Sequence, residues 1–186
     1  EFMIFMNKRD EKLNNAEKPF ADKFKSIRLM GDANNYGIVR AFNFLAGNAT
    51  QPYFLFLEKD FKLIEPWPCS FEALTTGVNL IKENTAQVIR FRHRWRAGKP
   101  NWAKSFFKGD EERVFKQQPN LFCNHFHWIE FPELRWPDKI WVCHKEPKTY
   151  CSDSRYCNWT NNPTMLNVKW WFKEYVSHFK SFERND

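Results

Sequence analysis

Apolar residues recur at helical spacing in one stretch of the chain and run unbroken in the next. Ile38, Ala41, Phe42 and Leu45 fall at i, i+3, i+4 and i+7, so residues 34 to 47 predict a helix with one apolar face. Asn34 or Asn35 can cap its start and Gly47 can close it. After a short polar turn from Asn48 to Pro52, Tyr53 to Leu57 is continuously apolar. A run with no polar alternation suits a central strand covered on both faces, and such strands are usually parallel.

Weaker patterns fill in the remainder. Phe2 to Met6 and Ser26 to Met30 read as short strands on either side of a lysine-rich connection, with Gly31-Asp32 turning the second. Ser70 can cap a helix from Phe71 to about Asn84, in which Phe71, Leu74, Val78 and Ile81 share a face. Gln87 to Trp95 alternates, with Ile89, Phe91, His93 and Trp95 facing one way and Arg90, Arg92 and Arg94 the other. Ala97 to Gln118 is broken by Gly and Pro and reads as a long loop, while Leu121 to Phe131 predicts a strand with Cys123, His125 and His127 on one face. Pro132 to Tyr156 reads as irregular surface. Asn162-Pro163 signals the start of a terminal helix with Val168, Trp171, Phe172, Tyr175, Phe179 and Phe182 along its apolar stripe. The expected organisation is one α/β domain over residues 1–186, loop-rich from 132 and ending in that helix.

Composition adds further constraints. A content of 20 Phe and 9 Trp implies a heavily aromatic core or broad stacking surfaces for sugars or bases. The net charge of +7 favours anionic ligands without choosing among them. No run approaches the roughly 18 apolar residues of a membrane span, and no signal peptide stands at this terminus. Five cysteines leave at least one outside internal pairing; Cys143, Cys151 and Cys157 would suit one disulfide, and buried thiols fit equally well. The sequons at Asn48 and Asn158 fit a secretory lumen, but the sequence does not decide between that and the cytoplasm.

Glu58 and Asp60 follow the apolar run directly, where a strand leaves a sheet at its carboxyl end. Two residues apart in an extended segment, their carboxylates point to one side and could share a hard cation such as Mn2+ or Mg2+; a charged turn has the same pattern. The cation could in turn bind a diphosphate. Arg90 and Arg92 offer paired donors for phosphate oxygens; a solvated strand face is the plainer reading of the same spacing.

The stretch Asn34-x-x-Gly37-Ile38-x-x-Ala41-x-Asn43-x-Leu45, then Ala49-Thr50, then Pro52-Tyr53-Phe54-Leu55-Phe56-Leu57-Glu58-x-Asp60-Phe61 resembles the core of nucleotide-sugar glycosyltransferases of the GT-A fold, in the GT2-like manner. The resemblance implies a Rossmann-like three-layer α/β/α sandwich with a mainly parallel central sheet. Only Phe2 to Met6 precedes the first polar stretch, so the usual first strand would be lacking. It implies transfer of a sugar from a nucleoside-diphosphate donor to a hydroxyl of a glycan or other acceptor, with Mn2+ or Mg2+ at Glu58 and Asp60. Asn34 and Gly37 would lie near the donor with Arg90 and Arg92. His127, Trp159 and Asn161 would face the acceptor, and an acid such as Glu130, Glu133 or Asp153 would take the acceptor proton. The rival expectation is a non-catalytic glycan-binding or degenerate transferase-like module. Nucleic-acid binding ranks last, since no RNA-binding signature is present.

Overall fold

Strands form at β1 (Phe2–Phe5), β2 (Ile27–Met30), β3 (Tyr53–Phe56), β4 (Val88–Arg90), β5 (Ile140–His144), β6 (Thr149–Ser152) and β7 (Thr164–Asn167). Helices form at α1 (Gly37–Gly47), α2 (Trp67–Lys82), α3 (Glu111–Gln117), the single turn α4 (Pro132–Arg135) and α5 (Val168–Trp170), which runs on as a π-helical turn over Trp171–Val176. This computed structural model describes residues 2–6, 15, 18, 19, 22–58, 63, 65–91, 110–123, 131–157 and 163–177. The class is mixed α/β, with small sheets: β1-β2, β3-β7-β4 and β5-β6.

The central sheet departs from the mainly parallel arrangement expected. The Val168 N–H, just past β7, donates to the Pro52 carbonyl just before β3, and the Phe91 N–H, just past β4, donates to the Pro163 carbonyl just before β7. Bonds that join the end of one strand to the start of the next are those of antiparallel pairs. Residues 164–167 were expected at the start of the terminal helix. They are instead the middle strand, because Thr164, Met165 and Leu166 are all buried and a covered strand absorbs such a run. The helix starts after it, where the Asn167 side chain accepts from the Trp170 N–H.

The chain divides into two compact units, residues 1–56 with 166–186, and residues 57–165. In the first, β1 and β2 pair in parallel from Phe2 opposite Ile27 to Phe5 opposite Met30. Gly31 follows with φ +110°, and a Cβ there would collide with the Met6 carbonyl, so only glycine permits this approach. Helix α1 forms as its periodicity predicts, burying Ala41, Phe42, Leu45 and Ala46. Neither Asn34 nor Asn35 stands at the cap position: Tyr36 does, and its side chain makes no capping bond to the helix. The core is aromatic. Phe42 lies between Phe56 and Trp171, with ring centroids at 4.7 and 4.6 Å, and meets Phe54 edge-on at 5.3 Å. The Trp171 indole N–H donates to Asn43 Oδ1 at 2.9 Å, which pairs the polar edge that this ring brings into the core.

Among the described residues of the second unit, apolar side chains gather in two places. Helix α2 buries Leu80 and Ile81 beside Ile89 of β4, and a Cβ at Gly77 would come within 3.0 Å of the Phe91 ring, so glycine lets the helix sit close. This helix begins at Trp67 and not at Phe71, with no cap from Ser70. Pro66 and Pro68 occupy its first positions, where a missing N–H costs nothing, and the Ser70 hydroxyl donates backward to the Glu65 carbonyl. The other group centres on Phe122 and Ile140, with Phe115, Trp136 and Tyr156 packed around them.

Two expectations fail here. Phe122 and Cys123 are helical, continuing a 3-10 turn over Pro119–Leu121, so the strand expected from Leu121 does not begin there; residues 124–130 lie outside the described residues. The stretch 132–156 is not irregular. It carries α4 and an antiparallel hairpin of β5 and β6, closed by a Cys143–Cys151 disulfide. Proline, tryptophan and cysteine content resembled a loop, but a disulfide supplies what strand periodicity does not.

Candidate functional site

The loop ahead of α1 is wired to itself. The Asn34 N–H donates to Asp32 Oδ1 at 2.8 Å, Asn34 Nδ2 donates to the Tyr36 hydroxyl at 3.3 Å, and that hydroxyl donates to Asp32 Oδ2 at 2.6 Å. The Tyr36 hydroxyl, then the Asn34 amide, hold the Asp32 carboxyl below its usual value. The Gly37 N–H donates to Asn35 Oδ1 at 3.1 Å, with φ +68° at Gly37. Asn34 and Gly37, the donor-side candidates, thus share one exposed loop in which Asn34 has local partners. The Asp-x-Asn spacing of an Asx turn was the sequence signal for that wiring.

In the second unit, Glu58 is half-buried two residues beyond β3. Its carboxylate is a hard oxygen donor, the chemistry that suits Mg2+ or Mn2+. Asp60, Arg92, Glu130, His127, Trp159 and Asn161 lie outside the described residues. Among the described residues there is no group of three or more His, Cys, Asp or Glu that could hold a metal ion.

Arg90, the last residue of β4, reaches a sulfur: its Nη1 donates to Cys157 Sγ at 3.0 Å. Asp153 caps the 3-10 turn Ser154–Tyr156 that leads to Cys157. Its Oδ1 accepts from the Arg155 N–H at 2.8 Å and from Arg155 Nε at 3.2 Å. These bonds, the backbone one first, hold the Asp153 carboxyl below its ordinary value, so it stays ionised and is a weak base. The structure therefore brings Arg90 to the end of the turn that Asp153 caps. Cys157 and Cys123 complete that group, the Cys123 thiol being hydrogen-bonded to Cys157. Cysteine spacing pointed to a bond among Cys143, Cys151 and Cys157 but could not show that Cys123 lies beside the last of these.

An open cavity of about 420 Å³ flanks the first turns of α2, lined by Pro68, Cys69, Phe71, Glu72, Thr75 and Thr76. Phe71 of that lining has the Trp67 ring beside it, 5.9 Å between centroids, and the two residues are 58% and 63% exposed. No described helix is long and apolar enough to cross a membrane. Compared with protein-family models, with curated proteins and with solved structures, the chain matches none.

Proposed function

We propose that the chain is a GT-A-like, metal-dependent glycosyltransferase domain that moves a sugar from a nucleoside-diphosphate donor to a hydroxyl acceptor. The observation that carries this reading is a half-buried carboxylate, Glu58, two residues beyond β3, whose Phe54 and Phe56 are buried, with a second acid, Asp60, next but one in sequence. Glu58 and Asp60 would hold Mn2+ or Mg2+, which when bound neutralises the charge of a departing diphosphate. Arg92 would add guanidinium donors to the diphosphate, Arg90 the same if released from Cys157, and His127, Trp159 and Asn161 would orient the acceptor. Glu130 or Asp153 would take the acceptor proton; the bonds from Arg155 favour Glu130 for that work, since they depress the basicity of Asp153.

The test is a transfer assay over a panel of nucleoside-diphosphate sugars, joined to calorimetric titration with manganese and with chelator. Asp60→Asn should abolish transfer and metal-dependent donor binding while leaving the melting temperature nearly unchanged. Unaltered turnover in that variant would remove the metal role.

One observation favours a second reading, a non-catalytic glycan-binding module. The exposed Trp67 and Phe71 rings beside Glu72, Thr75 and Thr76 offer an apolar face with polar groups at its edge, which suits the two sides of a sugar ring. In that case oligosaccharides would bind without any cation, and Trp67→Ala would remove the binding.

A further inference from the structure

Cys123 and Cys157 differ in their surroundings, and the difference divides labour between them. Cys123 is buried, next to Phe122 in the apolar group of the second unit. Cys157 is half-buried at the end of the turn Ser154–Tyr156, where its N–H donates to the Ser154 carbonyl. Its sulfur receives the Arg90 guanidinium at 3.0 Å and is hydrogen-bonded to the Cys123 thiol. The more accessible sulfur thus has both the donor and the cation that stabilise a thiolate, and the buried one keeps its proton. The Cys123 hydrogen bond, with Arg90 behind it, brings the Cys157 thiol down to about 7 against the opposing effect of burial. The same hydrogen bond, with burial, pushes the Cys123 thiol up.

We propose that Cys123 and Cys157 form a redox-active dithiol, in which Cys157 attacks a small-molecule disulfide and Cys123 resolves the product into an intramolecular bond. In the first step the Cys157 thiolate bonds to one sulfur of R–S–S–R, the S–S bond breaks, and RS⁻ leaves and takes a proton from water. In the second, Cys123 gives its proton to solvent and attacks the Cys157 sulfur of the mixed disulfide, expelling the second RS⁻. The two cysteines are oxidised by two electrons, and the small disulfide is reduced to two thiols. This pair is separate from Cys143–Cys151, already bonded, and leaves exposed Cys69 as the odd cysteine.

The experiment treats the full chain with oxidised glutathione, blocks remaining thiols, and maps the bonds by mass spectrometry. The expected result is a Cys123–Cys157 linkage in the folded protein, glutathione trapped on Cys157 in Cys123→Ser, and no adduct on Cys123 in Cys157→Ser. With wild-type chain, alkylation of Cys157 should titrate with a midpoint near pH 7; Arg90→Gln should raise the midpoint, a shift that a merely structural arginine would not produce. A Cys157 that stays unmodified while the chain is folded, or a linkage that forms only after denaturation, would overturn the proposal. So would an adduct on Cys123 in Cys157→Ser. Because the mapping on unaltered protein needs no substitution, a variant that fails to fold does not decide the outcome.

Discussion

The core of the first unit and the 110–157 part of the second bury aromatic residues by different means. Around Phe42, on the three-turn helix α1, the rings of Phe54 and Phe56 come from β3 and that of Trp171 from the π-helical turn after α5, and a single hydrogen bond to Asn43 pairs the indole. Around Phe122 the elements are short: a seven-residue α3, a three-residue 3-10 turn, the single turn of α4 and a hairpin. Cross-links hold them. A disulfide closes the hairpin, Lys139 lies over the rings of Phe122 and Tyr156 at 5.8 and 5.5 Å, and Lys148 joins Glu133 at 2.6 Å while lying over Phe131 and Tyr150. Where elements are long enough to nucleate on their own pattern, packing suffices; where they are not, specific bonds between distant residues substitute for it.

The sharpest break of this comparison is in the packed core. Phe42→Ala should cost about 3–5 kcal/mol, since it removes the ring that packs against Phe54, Phe56 and Trp171 and leaves a cavity, and urea unfolding would measure it. A loss below about 1 kcal/mol would mean that the core collapses around the gap and does not depend on complementary rings. Next is the staple. Opening Cys143–Cys151 with the double replacement by serine should cost about 2–3 kcal/mol for a loop of this length, with faster hydrogen exchange in β5 and β6. An unchanged hairpin would show that its strands need no cross-link.

Smaller effects sharpen the contrast. Asn43→Leu should cost roughly 1–2 kcal/mol by leaving the Trp171 N–H without its acceptor, read by unfolding and by tryptophan fluorescence. The smallest is the Glu133–Lys148 pair, in which Glu133 is 16% and Lys148 41% exposed. The hydrogen bond from Lys148 holds the Glu133 carboxyl below its usual 4.5. Its contribution is therefore full above that value and fades as pH falls through the lowered value of the folded state. Glu133→Gln should flatten the acid limb of the stability profile there; an unaltered limb would assign the acid sensitivity to other carboxylates.

Legibility followed sequence distance. Helix α1 and strand β3 stood out because each rests on residues within a few positions: Ile38, Ala41, Phe42 and Leu45 share a face by helical geometry alone, and Tyr53 to Leu57 is apolar throughout. The same local cues misplaced the start of α2, since both Ser70 and Pro66 are helix-start residues and the choice depends on which donors are left over. For the candidate site, Glu58 could be noticed from its place after β3, and Arg90 from its alternation with apolar neighbours. That Arg90 would meet a sulfur could not.

By itself, then, the order of residues determined the first helix, the buried strand after it, the glycine turn at Gly31 and the aromatic character of the interior, because each follows from backbone preference or from periodicity over a single element. Tertiary structure alone decided that residues 164–167 become the middle strand of the sheet, that Trp171 finds Asn43 across 128 positions, and that Arg90 finds Cys157 across 67. Such pairings depend on how the elements pack once formed, and burial rewards a contact whatever the length of chain between its partners.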